Sequence, residues 1–232
     1  MSVWSMFWRM RLKDFLEIYD GFLSEKKSEV ILKIFEELGD VADVSKEQGL
    51  PFFNKGRRKV CTSVSFSFDD TVNPCGPILE SCIEAGLKSY RNKYEFIKET
   101  KNNTGGSIDR WRICPTYNIQ KYDGEKEGYF TLHSEHAAAY PFRMLVWMIF
   151  LNDAQSGTEF PYQDRILKPR TGRLAIWPAA WTHPHRGVTP NQGLKYIATG
   201  WCYFLPKKKN GSWHIKFDGR HADEEKINEI VV

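Results

Sequence analysis

Histidine is scarce in this chain, six in 232 residues, yet four of the six fall in two short clusters. The first reads His133-Ser134-Glu135-His136, and the second, about fifty residues on, reads Thr182-His183-Pro184-His185-Arg186-Gly187. An imidazole and a carboxylate two residues apart, joined by one distant imidazole, make the ligand set of a facial-triad Fe(II) site. Such a site leaves coordination positions open for a substrate and for oxygen. Ten positions past His185 stands Lys195.

Strand geometry narrows the first cluster. If Tyr129 to Glu135 is extended, side chains alternate across it, so His133 and Glu135 share a face with Tyr129 and Thr131 while Ser134 and His136 point the other way. One strand end then offers an imidazole and a carboxylate to a single ion, with His136 excluded. The second cluster leaves two candidates, His183 and His185, after a buried strand from Arg173 to Trp177. On the last long strand Lys195, Ile197, Thr199 and Trp201 share a face. An ammonium among apolar neighbours is costly to bury unpaired, so an anionic group must meet it, and a carboxylate-bearing cosubstrate would serve.

The elements that carry these residues follow from periodicity. Ser24 caps a helix to about Leu38, with Val30, Ile31, Ile34, Phe35 and Leu38 at helical spacing. A second helix takes Pro77 as its first residue and runs to about Lys98, through Ile78, Cys82, Ile83, Leu87, Tyr90, Tyr94 and Ile97. Beyond the loop 102–107 the texture changes to strands at Arg110–Tyr122, Tyr129–Glu135, Arg143–Leu151, Arg165–Pro169, Arg173–Trp177 and Leu194–Leu205. Turns fall at Asp123-Gly124, Ser156-Gly157, Arg170-Thr171-Gly172 and Asn191-Gln192-Gly193. Helices first and many short strands later describe an α+β chain, mainly β, whose catalytic half is a sandwich or jelly roll. The expected organisation is one domain over 1–232: helical support to 107, a jelly-roll core over 108–205, and a tail over 206–232.

Composition excludes several classes. The longest apolar run, Met144 to Leu151, is too short to span a bilayer, so no transmembrane segment is expected. A net charge of +4 without clustering does not indicate nucleic acid. Five cysteines, an odd number without CxxC spacing, argue against a disulfide framework or a zinc-cysteine site. With no secretory signal in the first residues, the expected location is cytoplasmic. Trp4, Phe7 and Trp8 at helical spacing beside Arg9, Arg11 and Lys13 read as a segment packed on the domain, with a membrane-surface helix as the other option. Asp153 and Glu159 read as solvated hairpin charges, and His214 and His221 receive no role.

The order His-x-acid, strand-rich interval, His-x-Gly, then Gly193 and Lys195 eight and ten positions past His185 resembles the iron(II)/2-oxoglutarate-dependent dioxygenases. The likeness is strongest to the prolyl 4-hydroxylase-like branch and spans Tyr117 to Phe204, while Glu17 to Ser24 resembles the entry to that domain. The resemblance implies a double-stranded β-helix (jelly roll) with N-terminal supporting helices. It makes His133, Glu135 and His185 the catalytic metal ligands, and Lys195 and Tyr122 the residues that bind the distal carboxylate of 2-oxoglutarate. It also implies Fe(II), 2-oxoglutarate and O2, with ascorbate as a supporting reductant. The implied activity is oxidative decarboxylation of 2-oxoglutarate coupled to hydroxylation of a substrate C–H, a peptide or protein side chain such as proline. Arg112, Arg143, Trp181 and Arg186 are expected around the substrate mouth.

Two departures from the family pattern stand out. Glu135 takes the place of the usual Asp and is one methylene longer; Lys195 offers a point charge where Arg would offer a bidentate fork. Two alternatives remain at this level: an oxygenase of a small molecule or nucleic acid, and a non-enzymatic cupin-like metal-binding sandwich. Tyr196 to Phe204 lacks the further arginines of nucleic-acid demethylases, and a metal-only site would not require Lys195. Oligomeric state has no sequence signature here.

Overall fold

The computed structural model describes residues 13–39, 45–46, 59–70, 73–97, 111–124, 127–137, 140–204, 216–217 and 220–221. In chain order the elements are β1 (Glu17–Tyr19), α1 (Glu25–Gly39), β2 (Ser45–Lys46), β3 (Thr62–Ser67), α2 (Cys75–Lys93) and β4 (Trp111–Asp123). There follow β5 (Arg143–Phe150), β6 (Gln155–Phe160), β7 (Arg165–Leu167), β8 (Leu174–Pro178), β9 (Arg186–Gln192) and β10 (Leu194–Phe204), then a hairpin of β11 (Lys216–Phe217) and β12 (Arg220–His221). The N-terminal aromatic-basic segment and the 222–230 tail lie outside the described residues.

Seven strands form an antiparallel sheet in the order β1-β8-β5-β10-β4-β3-β2, and three more form β7-β6-β9. Alternation along the central strands assigns the two faces. Leu145, Trp147 and Ile149 of β5, Leu174 and Ile176 of β8, and Tyr196 and Ala198 of β10 join Ile31 and Phe35 of α1 and Leu79, Ile83 and Leu87 of α2 in one core. The intervening Val146, Met148, Phe150, Ala175, Trp177 and Ile197 meet Phe160 of β6 and Leu167 of β7 in a second. β5 is therefore covered on both faces, which is why Met144 to Phe150 is unbroken apolar sequence rather than an alternating one. Burying each of these larger side chains contributes roughly 1.5–3 kcal/mol, and the helices and small sheet clamp the large sheet between them.

Several expectations need correction. Ser24 does cap α1, its Oγ accepting from Lys27 N at 3.4 Å, but Val30 is exposed while Ile31 and Phe35 carry the buried face. Helix α2 begins at Cys75, two residues before Pro77, and ends at Lys93 rather than Lys98; Tyr94 caps it and Glu95–Ile97 is a separate 3-10 turn. Asn73 explains the early start, since its Oδ1 accepts from Cys75 N at 2.9 Å. Ser156 and Gly157 lie inside β6, not in a turn. Residues Arg186 to Gln192, which fall outside the expected strands, form β9 against β6, because the small sheet supplies the partner that their polar sequence does not advertise. Tyr129 to Glu135 forms no ladder strand, and its pairing is the isolated bridge His133↔His185.

The expected turn at Arg170–Gly172 is present and demanding. Gly172 sits at φ +76°, and a Cβ there would lie 1.8 Å from Leu23 O, whose own N–H bonds Gly172 O at 3.2 Å. Gly172→Ala should lower stability by at least ~2 kcal/mol through strained backbone plus a backbone clash. A denaturant midpoint unchanged from the parent protein would contradict this close approach.

Candidate active site

His133 and His185 come from separate segments, tied by their own backbones: His133 N donates to His185 O at 3.1 Å and His185 N to His133 O at 2.9 Å. This two-bond bridge does what a continuous strand was expected to do, and His133 and Glu135 still share a side. Ring stacking fixes the imidazoles. His133 lies on Tyr129 with centroids 3.6 Å apart, and His185 stacks on Phe160 and meets the edge of Trp177, both at 5.2 Å.

Second partners fix the tautomers. His133 Nδ1 lies 2.8 Å from Thr131 O, and His185 Nδ1 lies 3.1 Å from His183 O. A carbonyl only accepts, so each Nδ1 carries the proton and each Nε2 presents a lone pair. Both Nε2 atoms stand 3.6 Å from Glu135 Oε1. The three ligand atoms lie within 4.8 Å of one another. Two neutral imidazoles and one carboxylate fit a divalent iron with open positions.

Glu135 is held from behind as well. Its Oε2 accepts from Arg143 Nη1 at 3.2 Å and from Trp201 Nε1 at 3.0 Å. Burial alone would raise its pKa, but His133 and His185, which in the absence of a metal can take a proton at Nε2 and face it, outweigh that and hold it well below the usual carboxylate range. The group is an anion waiting for a cation.

Lys195, 5% exposed, opens into the same cavity of about 460 Å³ as the three ligand atoms. Across the β4–β10 ladder it pairs with Tyr122, and this register puts its ammonium 4.6 Å from the Tyr122 ring centre. Its Nζ donates to Ser156 Oγ at 3.3 Å, and no carboxylate among the described residues pairs with it. Burial depresses its pKa to about 8, with the charge of nearby Cys61 opposing the shift. Tyr122 borders the cavity with its hydroxyl donating to Gln120 Oε1 at 2.7 Å. Ile197, Thr199 and Trp201 line the same space, as their shared strand face predicts.

The remaining candidates sort cleanly. His183 points away: its Nε2 bonds Asp14 O at 2.7 Å and its Nδ1 meets Thr182 Oγ1 at 2.9 Å. Burial pulls its pKa down, so it is a neutral structural histidine. His136 donates from Nε2 to Pro141 O at 2.9 Å. Arg143 and Arg186 border the cavity, whereas Arg112 and Trp181 do not, and Trp181 is 74% exposed. Asp153 is not merely solvated, since its Oδ1 accepts from Thr171 N at 2.6 Å and so braces the Gly172 turn; Glu159 pairs with Arg186 at 2.6 Å. Sequence reasoning missed Tyr129, Trp201 and Ser156 as supporting groups. The only signal for Trp201 was its parity with Lys195.

The family model described as the 2OG-Fe(II) oxygenase superfamily matches residues 117–203, from within β4 to near the end of β10. Over these residues, which hold all three candidate ligand positions and Lys195, the chain is similar to that superfamily. It is an oxygenase whose chemistry uses Fe(II), 2-oxoglutarate and O2. No curated protein matches the sequence. Solved prolyl hydroxylases share the fold of this oxygenase. One from Trichoplax adhaerens, in complex with a hypoxia inducible factor oxygen degradation domain peptide fragment, aligns at TM-score 0.61 and 18% identity, covering 88% of this chain and 94% of its own. A viral collagen prolyl hydroxylase from Paramecium Bursaria Chlorella virus-1 aligns at TM-score 0.56 and 15% identity, covering 82% and 97%. A Pseudomonas putida prolyl-4-hydroxylase aligns at 0.58 and 11%, covering 83% and 94%. The double-stranded β-helix expected from the sequence is thus the fold of this oxygenase. Among the described residues no helix is long and apolar enough to cross a membrane.

Proposed function

We propose that His133 Nε2, Glu135 Oε1 and His185 Nε2 hold Fe(II), and that Lys195, with Ser156 and Tyr122 beside it, receives the far carboxylate of 2-oxoglutarate. The substrate is a peptide or protein side chain, with proline first in line. The observation that carries this reading is the opening of all three ligand atoms and one buried, carboxylate-free ammonium into a single cavity. When bound, iron and 2-oxoglutarate supply the oxidising chemistry. The protein binds and orients: Lys195 neutralises an incoming carboxylate, Tyr129 and Phe160 hold the imidazole planes, and Trp177, Met148 and Ile197 keep water from one side of the cavity.

A peptide substrate is supported by the peptide-bound Trichoplax structure and by Arg186 and the Tyr140 hydroxyl at the cavity border, which offer polar groups to an extended chain. We read the chain as a single catalytic domain. Five cysteines that are all buried and form no disulfide fit a reducing, cytoplasmic setting. Anaerobic addition of Fe(II) and 2-oxoglutarate should produce the weak visible charge-transfer band of the chelated cosubstrate, and O2 should then yield succinate. Proline-containing peptides should accelerate succinate release and gain one oxygen atom. Absence of both band and succinate, in protein that binds Zn(II) stoichiometrically, would replace this reading with a metal-binding sandwich.

A further inference from the structure

Glu135 is the unusual member of the ligand set, and its two carboxylate oxygens have different surroundings. Oε1 faces the two imidazole Nε2 atoms. Oε2 is turned away, accepting from the Arg143 guanidinium and the Trp201 indole N–H. The donors are themselves locked. The Arg143 guanidinium lies between two rings, 3.9 Å from the Tyr140 centre and 3.7 Å from that of Trp201, and its Nη1 also reaches Glu135 O at 3.4 Å. Arg143 starts β5 and Trp201 sits in β10, and the ladder pairs Arg143 with Tyr203, two residues from Trp201. The side chains of Arg143 and Glu135 are only 13% and 17% exposed.

We infer that Arg143 and Trp201 are positioning residues that make Glu135 a one-oxygen ligand. With Oε2 occupied, only Oε1 is offered to the ion, and the place a second carboxylate oxygen would take stays open for the cosubstrate. A glutamate needs this more than an aspartate does, because its extra rotatable bond lets both oxygens swing toward a cation. Charge-assisted and indole hydrogen bonds to Oε2 oppose that swing, and the ring sandwich keeps the guanidinium in the plane that makes them. This inference rests on the proposal that His133, Glu135 and His185 are the metal ligands.

The test uses Co(II) as a visible probe of the whole protein, with variants that conserve charge and bulk. Trp201→Phe keeps a ring on Arg143 and removes one donor; Arg143→Lys keeps the charge and removes the fork. The double variant should melt like the parent and still bind one Co(II). Its Co(II) ligand-field band should shift and weaken as a second carboxylate oxygen joins, and its 2-oxoglutarate dissociation constant should rise tenfold or more. Trp201→Phe alone should show the same spectral change at smaller amplitude, which keeps the test decisive if the double variant does not fold. A parental Co(II) spectrum together with parental 2-oxoglutarate affinity in both variants would overturn the inference. Failure of the underlying ligand assignment looks different: Co(II) uptake would then be absent from the parent, or undiminished in His133→Ala and His185→Ala.

Discussion

His185→Ala should reduce Fe(II)-dependent succinate formation to background and abolish stoichiometric Co(II) uptake, while His183→Ala should retain both. The two histidines are two residues apart and both buried, so burial does not distinguish them. Their partners do. His185 turns Nε2 to Glu135 Oε1 at 3.6 Å with its Nδ1 proton on a backbone carbonyl, whereas both His183 nitrogens are engaged, with Asp14 O and Thr182 Oγ1. Removing the His185 ring deletes one of three donors, and among the described residues no other imidazole belongs to that cluster to replace it. Removing His183 strands the Asp14 carbonyl, for which about 1–3 kcal/mol of stability should be lost. Metal titration and thermal melting of the two variants check both halves. Equal loss of metal uptake in the two would mean that the Asp14 contact positions the site as well as the fold.

Lys195→Met should separate function from stability in the opposite sense, giving a protein that is more stable without ligand and nearly unable to bind 2-oxoglutarate. Burial depresses the lysine from its ordinary value of 10.5 to about 8. Between those values the unfolded chain holds more protons than the folded one, so stability rises with pH across that window. Below about pH 8 the folded protein carries the whole penalty of an ammonium in a closed space, on the order of 3 kcal/mol. Methionine removes it, and the melting temperature near neutral pH should rise by several degrees. Cosubstrate affinity moves the other way. A carboxylate left unpaired in a buried site costs about 3–5 kcal/mol, so the dissociation constant for 2-oxoglutarate should rise roughly 10²–10⁴-fold. In the parent, affinity should be flat below pH 8 and decline above it as the lysine loses its proton. A Lys195→Met protein with unchanged 2-oxoglutarate affinity would remove this residue from the cosubstrate site.

The sequence by itself determined the residue inventory and the architecture that carries it. The local patterns are strong: β4, β5, β8 and β10 match their expected limits within about one residue, helped by turn glycines such as Gly124, Gly172 and Gly193 that punctuate the chain beside β4, β8 and β10. Parity put Lys195, Ile197, Thr199 and Trp201 on one face, and the cavity lining agrees. Spacing brought His133 and Glu135 to one side although the segment is not a ladder strand, since a single bridge keeps the backbone extended enough for alternation to hold. Tertiary structure alone decided the rest. The choice between His183 and His185 depends on Asp14, 169 residues away, which no local pattern encodes. The strand character of Arg186 to Gln192 comes from β6 rather than from its own polar residues. The grip of Arg143 and Trp201 on Glu135 exists because the β5–β10 register and the 127–137 segment meet there. Side-chain alternation is a property of one segment and is written locally; which groups face one another across a cavity is set by register and packing between segments, and appears only once the chain is folded.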